Sequence, residues 1–229
     1  MKKILLLFAM FSSVLFAGAQ NIQLLYNTGE NQNNLTSTVE MFRPDKLGNT
    51  FFFIDFSYGA GEVEGVSSAY WEIARAFTIA KSPVAFHAEY NGGLGQWKDG
   101  EFSGAYSINN AWLTGLEYAI NAKDFSKGIT FQALYKYIQD KNNVSFQLTT
   151  VWYLNAFNSK LSFSGYADFW REDSMFDTTE TKYIFMTQPQ LWYNFSKNFS
   201  IGTEIQFAYN FGGIKGFDVM PSPAVRYTF

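Results

Sequence analysis

The chain has 229 residues, with 17 basic and 20 acidic side chains, one histidine and no cysteine. The near-balanced, mildly acidic charge leaves no footprint for nucleic acid. The missing cysteine excludes disulfides, thiolate metal sites and a lipid anchor on a cysteine. Aromatic content is high at 20%, with 25 Phe, 14 Tyr and 6 Trp, while apolar and polar residues alternate along the chain. That is what a wall with one lipid face and one wet face requires.

The N-terminus reads as an export signal. Lys2 and Lys3 give a basic start, Ile4 to Phe16 is apolar, and Ala17-Gly18-Ala19 supplies small residues for cleavage. Residues 1–19 are thus expected to be a signal peptide, and 20–229 one β-barrel domain of about 210 residues. Export of this kind implies the cell outer membrane as destination.

Beyond the signal, period-two runs recur between clusters of Gly, Asn, Asp, Ser and Lys, which is a strand pattern. The predicted strands are Ile22 to Asn27, Leu35 to Arg43, Thr50 to Gly59, Ala69 to Ala80, Val84 to Asn91 and Asn110 to Ile120. The second half adds Lys127 to Ile138, Val144 to Leu154, Lys160 to Trp170, Lys182 to Phe195, Phe199 to Asn210 and Met220 to Phe229. Most are near the roughly 9–11 residues that a tilted membrane strand needs.

The links alternate in length. Pro44 to Asn49, Lys81 to Pro83, Asn155 to Ser159 and Ser196 to Asn198 are short. Ala60 to Ser68, Gly92 to Ile108, Arg171 to Thr181 and Phe211 to Val219 are longer. Short periplasmic turns opposite moderate outer loops are the expected asymmetry of an outer-membrane barrel.

In the last strand Val225, Tyr227 and Phe229 share one face, and Ser222, Ala224, Arg226 and Thr228 the other. Tyr137, Tyr193 and Tyr209 fall near strand ends, where aromatic girdles sit. One strand breaks the rule: Arg75 shares a face with Trp71, Ile73, Phe77 and Ile79, so a bulge or a shifted register is expected there. A secreted β-sandwich also alternates, but it needs polar outer faces without girdles. The expected fold is all-β, a transmembrane antiparallel β-barrel of about twelve strands.

The order "TVEMF", "PDKLGNTFFFIDFSYG", "SSAYWEIARAFTI", "VAFHAEYNGGLG", "KLSFSGYADFW" and "AVRYTF" resembles the nucleoside-specific channel family of the Tsx and OmpK type. The resemblance covers most of the mature chain in layout. It implies a twelve-stranded barrel passing nucleosides through a narrow lumen lined by aromatic and ionisable side chains. The strand "EIARAFTI" departs from that family, because Ala74 and Ala76 stand where family members carry further inward charges.

Strand parity assigns a lumen. Its acidic members are Glu40, Asp55, Glu72, Glu89, Glu117, Asp168 and Glu204, and its basic members Lys136 and Arg226. His87 lies on the same face as Glu89. Phe51, Phe53, Tyr166 and Trp192 also point inward. Arg226 is expected to neighbour Glu204 or Gln206. Such a lumen should admit small neutral or cationic solutes and repel anions. No cofactor or metal is called for, since one histidine beside Glu89 is not a ligand set. The partners expected are outer-membrane lipid and a small polar solute, with nucleosides implied by the resemblance. A closed barrel has no edge that forces association, so a monomer is expected.

Two other readings stand beside this one. Narrow barrels often fill their interior, so the inward groups could plug a structural or adhesin-like barrel, with "REDSMFDTTETK" as outer contact surface. Alternatively, some barrels of this size are hydrolases with a Ser–His dyad facing lipid. Here His87 should point inward, and no serine has nucleophile spacing, so no enzyme is expected.

Overall fold

The structure, a computed structural model, describes residues 19–30, 32–141, 144–176 and 178–229. The expected signal peptide lies outside the described residues except for Ala19, which opens the first strand.

Among the described residues thirteen strands form one antiparallel sheet: β1 (Ala19–Tyr26), β2 (Leu35–Asp45), β3 (Gly48–Tyr58), β4 (Val66–Thr78), β5 (Val84–Asp99), β6 (Phe102–Asn121) and β7 (Lys127–Ile138), then β8 (Ser145–Ala156), β9 (Leu161–Phe176), β10 (Thr179–Thr187), β11 (Gln190–Asn194), β12 (Phe199–Tyr209) and β13 (Phe217–Thr228). Strands consecutive in the chain pair with each other, except that β10 and β11 both lie between β9 and β12, and β1 pairs with β13, so the sheet closes on itself. β10 and β11 are two parts of one span, since both pair with β9 and β12 and keep one register from Thr187 to Gln190, the β9–β10 ladder shifting only farther out, between Thr181 and Tyr183. Pro189 interrupts the span because its nitrogen has no hydrogen to donate. The result is the expected twelve-span barrel.

The wall sorts side chains as the alternation requires. Ile22, Leu24 and Tyr26 are exposed on the outside of β1, while Asn21, Gln23 and Asn27 are buried inside. In β13 Val225, Tyr227 and Phe229 face out, and Ser222 and Ala224 face in. Tyr137, Tyr193 and Tyr209 are exposed on the outer face. An apolar exterior round a polar interior inverts a soluble fold, and only lipid satisfies it.

Three expectations change. The stretch Gly92 to Ile108 is not a loop: β5 and β6 continue as a hairpin to Asp99 and Phe102, past a register shift between Asn91 and Gly93. Glycines suggest a loop, but the ladder needs only backbone, so this hairpin forms despite them. Likewise β9 and β10 extend through most of Arg171 to Thr181, pairing as far as Phe176 and Thr179. Arg75 is neither bulged nor displaced. β3 and β4 run in register through Thr50↔Arg75, and β4 and β5 through Arg75↔Ala88. Arg75 faces outward near the short-turn rim, where its guanidinium reaches Asp45 at 2.6 and 2.8 Å. A long side chain can lie along the apolar wall and still place its charge at the edge.

Candidate functional site: the acidic lumen

The inward carboxylates that strand parity predicts each have a local partner that fixes their direction. Glu40 on β2 accepts a hydrogen bond from Asn21 Nδ2 at 2.9 Å. Asp55 on β3 accepts from Thr38 Oγ1 across the β2–β3 pair. Glu72 on β4 accepts from Tyr70 at 2.6 Å, and Glu204 on β12 from Gln190 Nε2 at 2.7 Å. Asp168 on β9 accepts from Thr149 Oγ1.

His87 on β5 lies between two more. Its Nδ1 is 2.9 Å from Glu117 on β6, and its Nε2 is 2.8 Å from Glu89 on its own strand. Directly opposite His87 stand Ala76 on β4 and Gly115 on β6. Those small residues leave the imidazole space to lie along the wall. Ala74 and Ala76 are buried inward, as expected.

Both inward cations rest on indole rings. Lys136 Nζ lies 4.5 Å from the Trp170 ring centroid and donates to Gln147 Oε1 at 2.8 Å. The Arg226 guanidinium lies 4.3 Å from the Trp192 centroid and interacts electrostatically with Glu40. Arg226 does not neighbour Glu204 or Gln206 as expected. It pairs with Ser200 and Gln23, because the connection from Tyr209 to Phe217 sets the register. Trp192 is fully buried, clustered with Leu25 and Ala224.

Tyr166 on β9 interacts electrostatically with Asp168 beside it, with Glu72 on β4, with Glu204 and with Asp55 on β3. It also interacts with Tyr70 on β4. β4 and β9 are not neighbours in the sheet, so these groups face one lumen from different parts of its wall. The rings of Phe51 and Phe53 are 6.0 Å apart, and Phe53 is 5.9 Å from Tyr70, giving β3 and β4 an aromatic inner face.

Sequence reasoning omitted several groups that belong here. Tyr70 has the inward parity of Glu72, a readable signal on a strand whose alternation Arg75 breaks. Asn21 and Gln23 alternate with Ile22 and Leu24, a readable signal. Asn91 lies where the glycines begin and was read as a strand end.

The architecture is that of a porin-type outer-membrane β-barrel. The NanC porin superposes with a TM-score of 0.58 at 10% identity, covering 92% of this chain and 100% of its own. The KdgM porin gives 0.52 at 12% identity, covering 91% and 99%. At such identity the likeness is one of fold. Residues 19–229 match the family described as a domain of unknown function, DUF5020, and the chain belongs to that family. No curated protein matches the sequence.

Proposed function

We propose that the barrel is a narrow passive channel of the outer membrane that admits small neutral or cationic solutes. The observation carrying this reading is the charge of the inner wall. Glu40, Asp55, Glu72, Glu89, Glu117, Asp168 and Glu204 face Lys136, Arg226 and the single His87. Rings of carboxylate favour cations over anions in a confined pore. The two superposing structures are porins, which supports passage rather than chemistry. Both nitrogens of His87 face carboxylates, leaving neither for a serine hydroxyl, so a hydrolase dyad has no support.

In this reading residues 1–19 are the export signal, 20–229 are the membrane domain, and the working unit is a monomer surrounded by lipid. Nucleosides remain the finer proposal for the solute. They rest on the sequence resemblance and on Phe51, Phe53, Tyr70 and Tyr166, whose ring faces offer stacking worth about 1–3 kcal/mol per base. The second reading, a closed structural barrel, draws on one observation: Trp192 is fully buried and fills its side of the lumen.

Swelling of proteoliposomes in matched solutions of nucleoside, neutral sugar, cationic amino acid and anionic amino acid tests the proposal. Entry of the first three with exclusion of the anion is expected. Entry of the anion at an equal rate, or of no solute, contradicts it.

A further inference from the structure

The outer hairpin of β5 and β6 is rich in glycine, a poor strand residue that often marks a place where a ligand or another chain comes close. Three of its glycines stand opposite large side chains: Gly93 faces Ile108, Gly95 faces Tyr106 and Gly104 faces Trp97. In each pair the large side chain leans across the ladder onto the glycine. A Cβ at Gly93 would stand 2.7 Å from Ile108 Cδ1, at Gly95 2.6 Å from Tyr106 Cε2, and at Gly104 2.9 Å from the Trp97 indole. Tyr106 and Trp97 are still half exposed, at 50% and 47%. The missing Cβ atoms let both rings rest on backbone while leaving ring surface open to water.

Tyr106 ends a row that crosses four strands. Ser57 pairs with Ser68, Ser68 with Gly95, and Gly95 with Tyr106. Ladder partners share a face. Ser68 has the parity of Tyr70 and Glu72, so the row looks into the mouth of the lumen. Beside it at the outer rim lies a cavity of about 280 Å³, lined among others by Ser57, Ser68, Gln96 and Tyr106, with Gln32 and Asn34 from the β1–β2 connection. Its polar groups are held in place by the chain. Gln96 Nε2 donates to the Val66 carbonyl at 2.5 Å, and Asn34 Oδ1 accepts from Asn27 Nδ2 at 3.0 Å. Among the described residues no charged side chain lines this cavity.

The lining says which solute fits. Amides and hydroxyls both donate and accept hydrogen bonds, as the hydroxyls of a sugar do. An ionised ligand would meet no counter-charge there. A tyrosine ring adds an apolar face with a polar tip. A pyranose has apolar C–H faces and a rim of hydroxyls, so it can rest on the ring and bond the pocket at once. The cavity sits near the lower end of the ~300–1,000 Å³ range of small-ligand sites, room for one sugar ring. Trp97, diagonal to Tyr106 on the same face of the hairpin, offers a second ring to the next unit of a chain.

We propose that the outer mouth of the barrel carries a binding site for neutral oligosaccharides, with one sugar ring stacked on Tyr106, its hydroxyls in the amide and serine pocket, and the neighbouring unit on Trp97. The site lies outside the carboxylate-lined part of the lumen and goes beyond the channel reading, since it needs only the mouth to be open to water.

Saturation-transfer NMR of the whole barrel in a sugar-free detergent tests the proposal, with maltotriose, cellotriose, mannotriose and galactotriose as probes. Saturable binding of at least one trisaccharide is expected, weakened about tenfold in Tyr106→Ala and in Gln96→Ala. Glu72→Gln should leave it unchanged. Gly95→Val, which displaces the Tyr106 ring but keeps it in the chain, should weaken it as Tyr106→Ala does. Heat-modifiable migration identifies the folded variants, and Gln96→Ala serves alone if the others do not fold. Binding of none of the four sugars, binding unchanged in the folded variants, or tighter binding of adenosine or glucuronate than of every trisaccharide overturns the proposal. A barrel that binds a neutral sugar here but conducts no ions leaves this site standing and removes the channel reading. A cation-selective pore that binds none of the sugars does the reverse.

Discussion

His87 and Glu117 are 30 residues apart in the chain, yet Nδ1 and Oε2 lie 2.9 Å apart on the inner wall. The contact is diagonal across the β5–β6 ladder, because the residue directly opposite His87 is Gly115. With Glu89 on the other nitrogen, one imidazole separates two buried carboxylates.

Replacing His87 by leucine should therefore strand Glu89 and Glu117 as unpaired neighbours of like charge. Breaking a buried ion pair by removing one partner costs about 3–5 kcal/mol. Urea unfolding in detergent, followed by tryptophan fluorescence, should show a clearly lowered midpoint. An unchanged midpoint would mean that the pairing contributes nothing to the wall.

This contact also marks the limit of what the sequence conveys. Period-two alternation in strands such as Phe199 to Asn210 was enough to place twelve spans and their inner faces, because lipid and lumen impose opposite polarity on successive side chains. It also put His87 and Glu89 on one face. It could not pair His87 with Glu117, since that depends on register between two strands and on the gap left by Gly115. The same dependence misplaced Arg226, whose neighbours follow from the Tyr209–Phe217 connection. The β5–β6 and β9–β10 extensions were missed for another reason. Segments such as "REDSMF" carry no apolar face to betray a strand.

Gly202 tests the packing beneath Trp192. A Cβ there would stand 2.2 Å from the Leu191 carbonyl oxygen and 2.7 Å from the indole. Gly202→Val should push Trp192 from its buried position and, as overpacking, cost about 1–3 kcal/mol. The checks are a lowered unfolding midpoint together with greater access of Trp192 to a water-soluble quencher. Access is best read in a chain whose other tryptophans are replaced.

The closing seam offers a stabilising change. Thr28 donates its backbone N–H to the Pro221 carbonyl at 3.0 Å, but Pro221 and Pro223 have no N–H to return toward β1. The paired register of β1 and β13 runs only from Asn21↔Thr228 to Leu25↔Ala224. Pro223→Val keeps an apolar outer face and restores a donor. One backbone hydrogen bond is worth about 0.5–1.5 kcal/mol net. The expected outcome is slower heat-induced loss of the folded band in gel electrophoresis, and faster loss would contradict it.

Asp124, in the turn between β6 and β7, tests a pH effect outside the membrane. Hydrogen bonds from the Ser126 hydroxyl and backbone N–H hold its carboxyl below the usual value. A depressed carboxyl stabilises the fold above its unfolded value, and the contribution is lost as pH falls through the folded one. Asp124→Asn should thus lower the melting temperature slightly at neutral pH and match the parent at strongly acidic pH. A difference that grows on acidification would contradict the assignment.

The central claim is that the lumen selects by its carboxylates. The most direct test is the reversal potential of single barrels in a planar bilayer under a potassium chloride gradient. The account predicts a potential displaced toward the potassium equilibrium value, moving toward zero when Glu72 and Glu89 are replaced by glutamine. A potential on the chloride side, or one indifferent to those two substitutions, would contradict it.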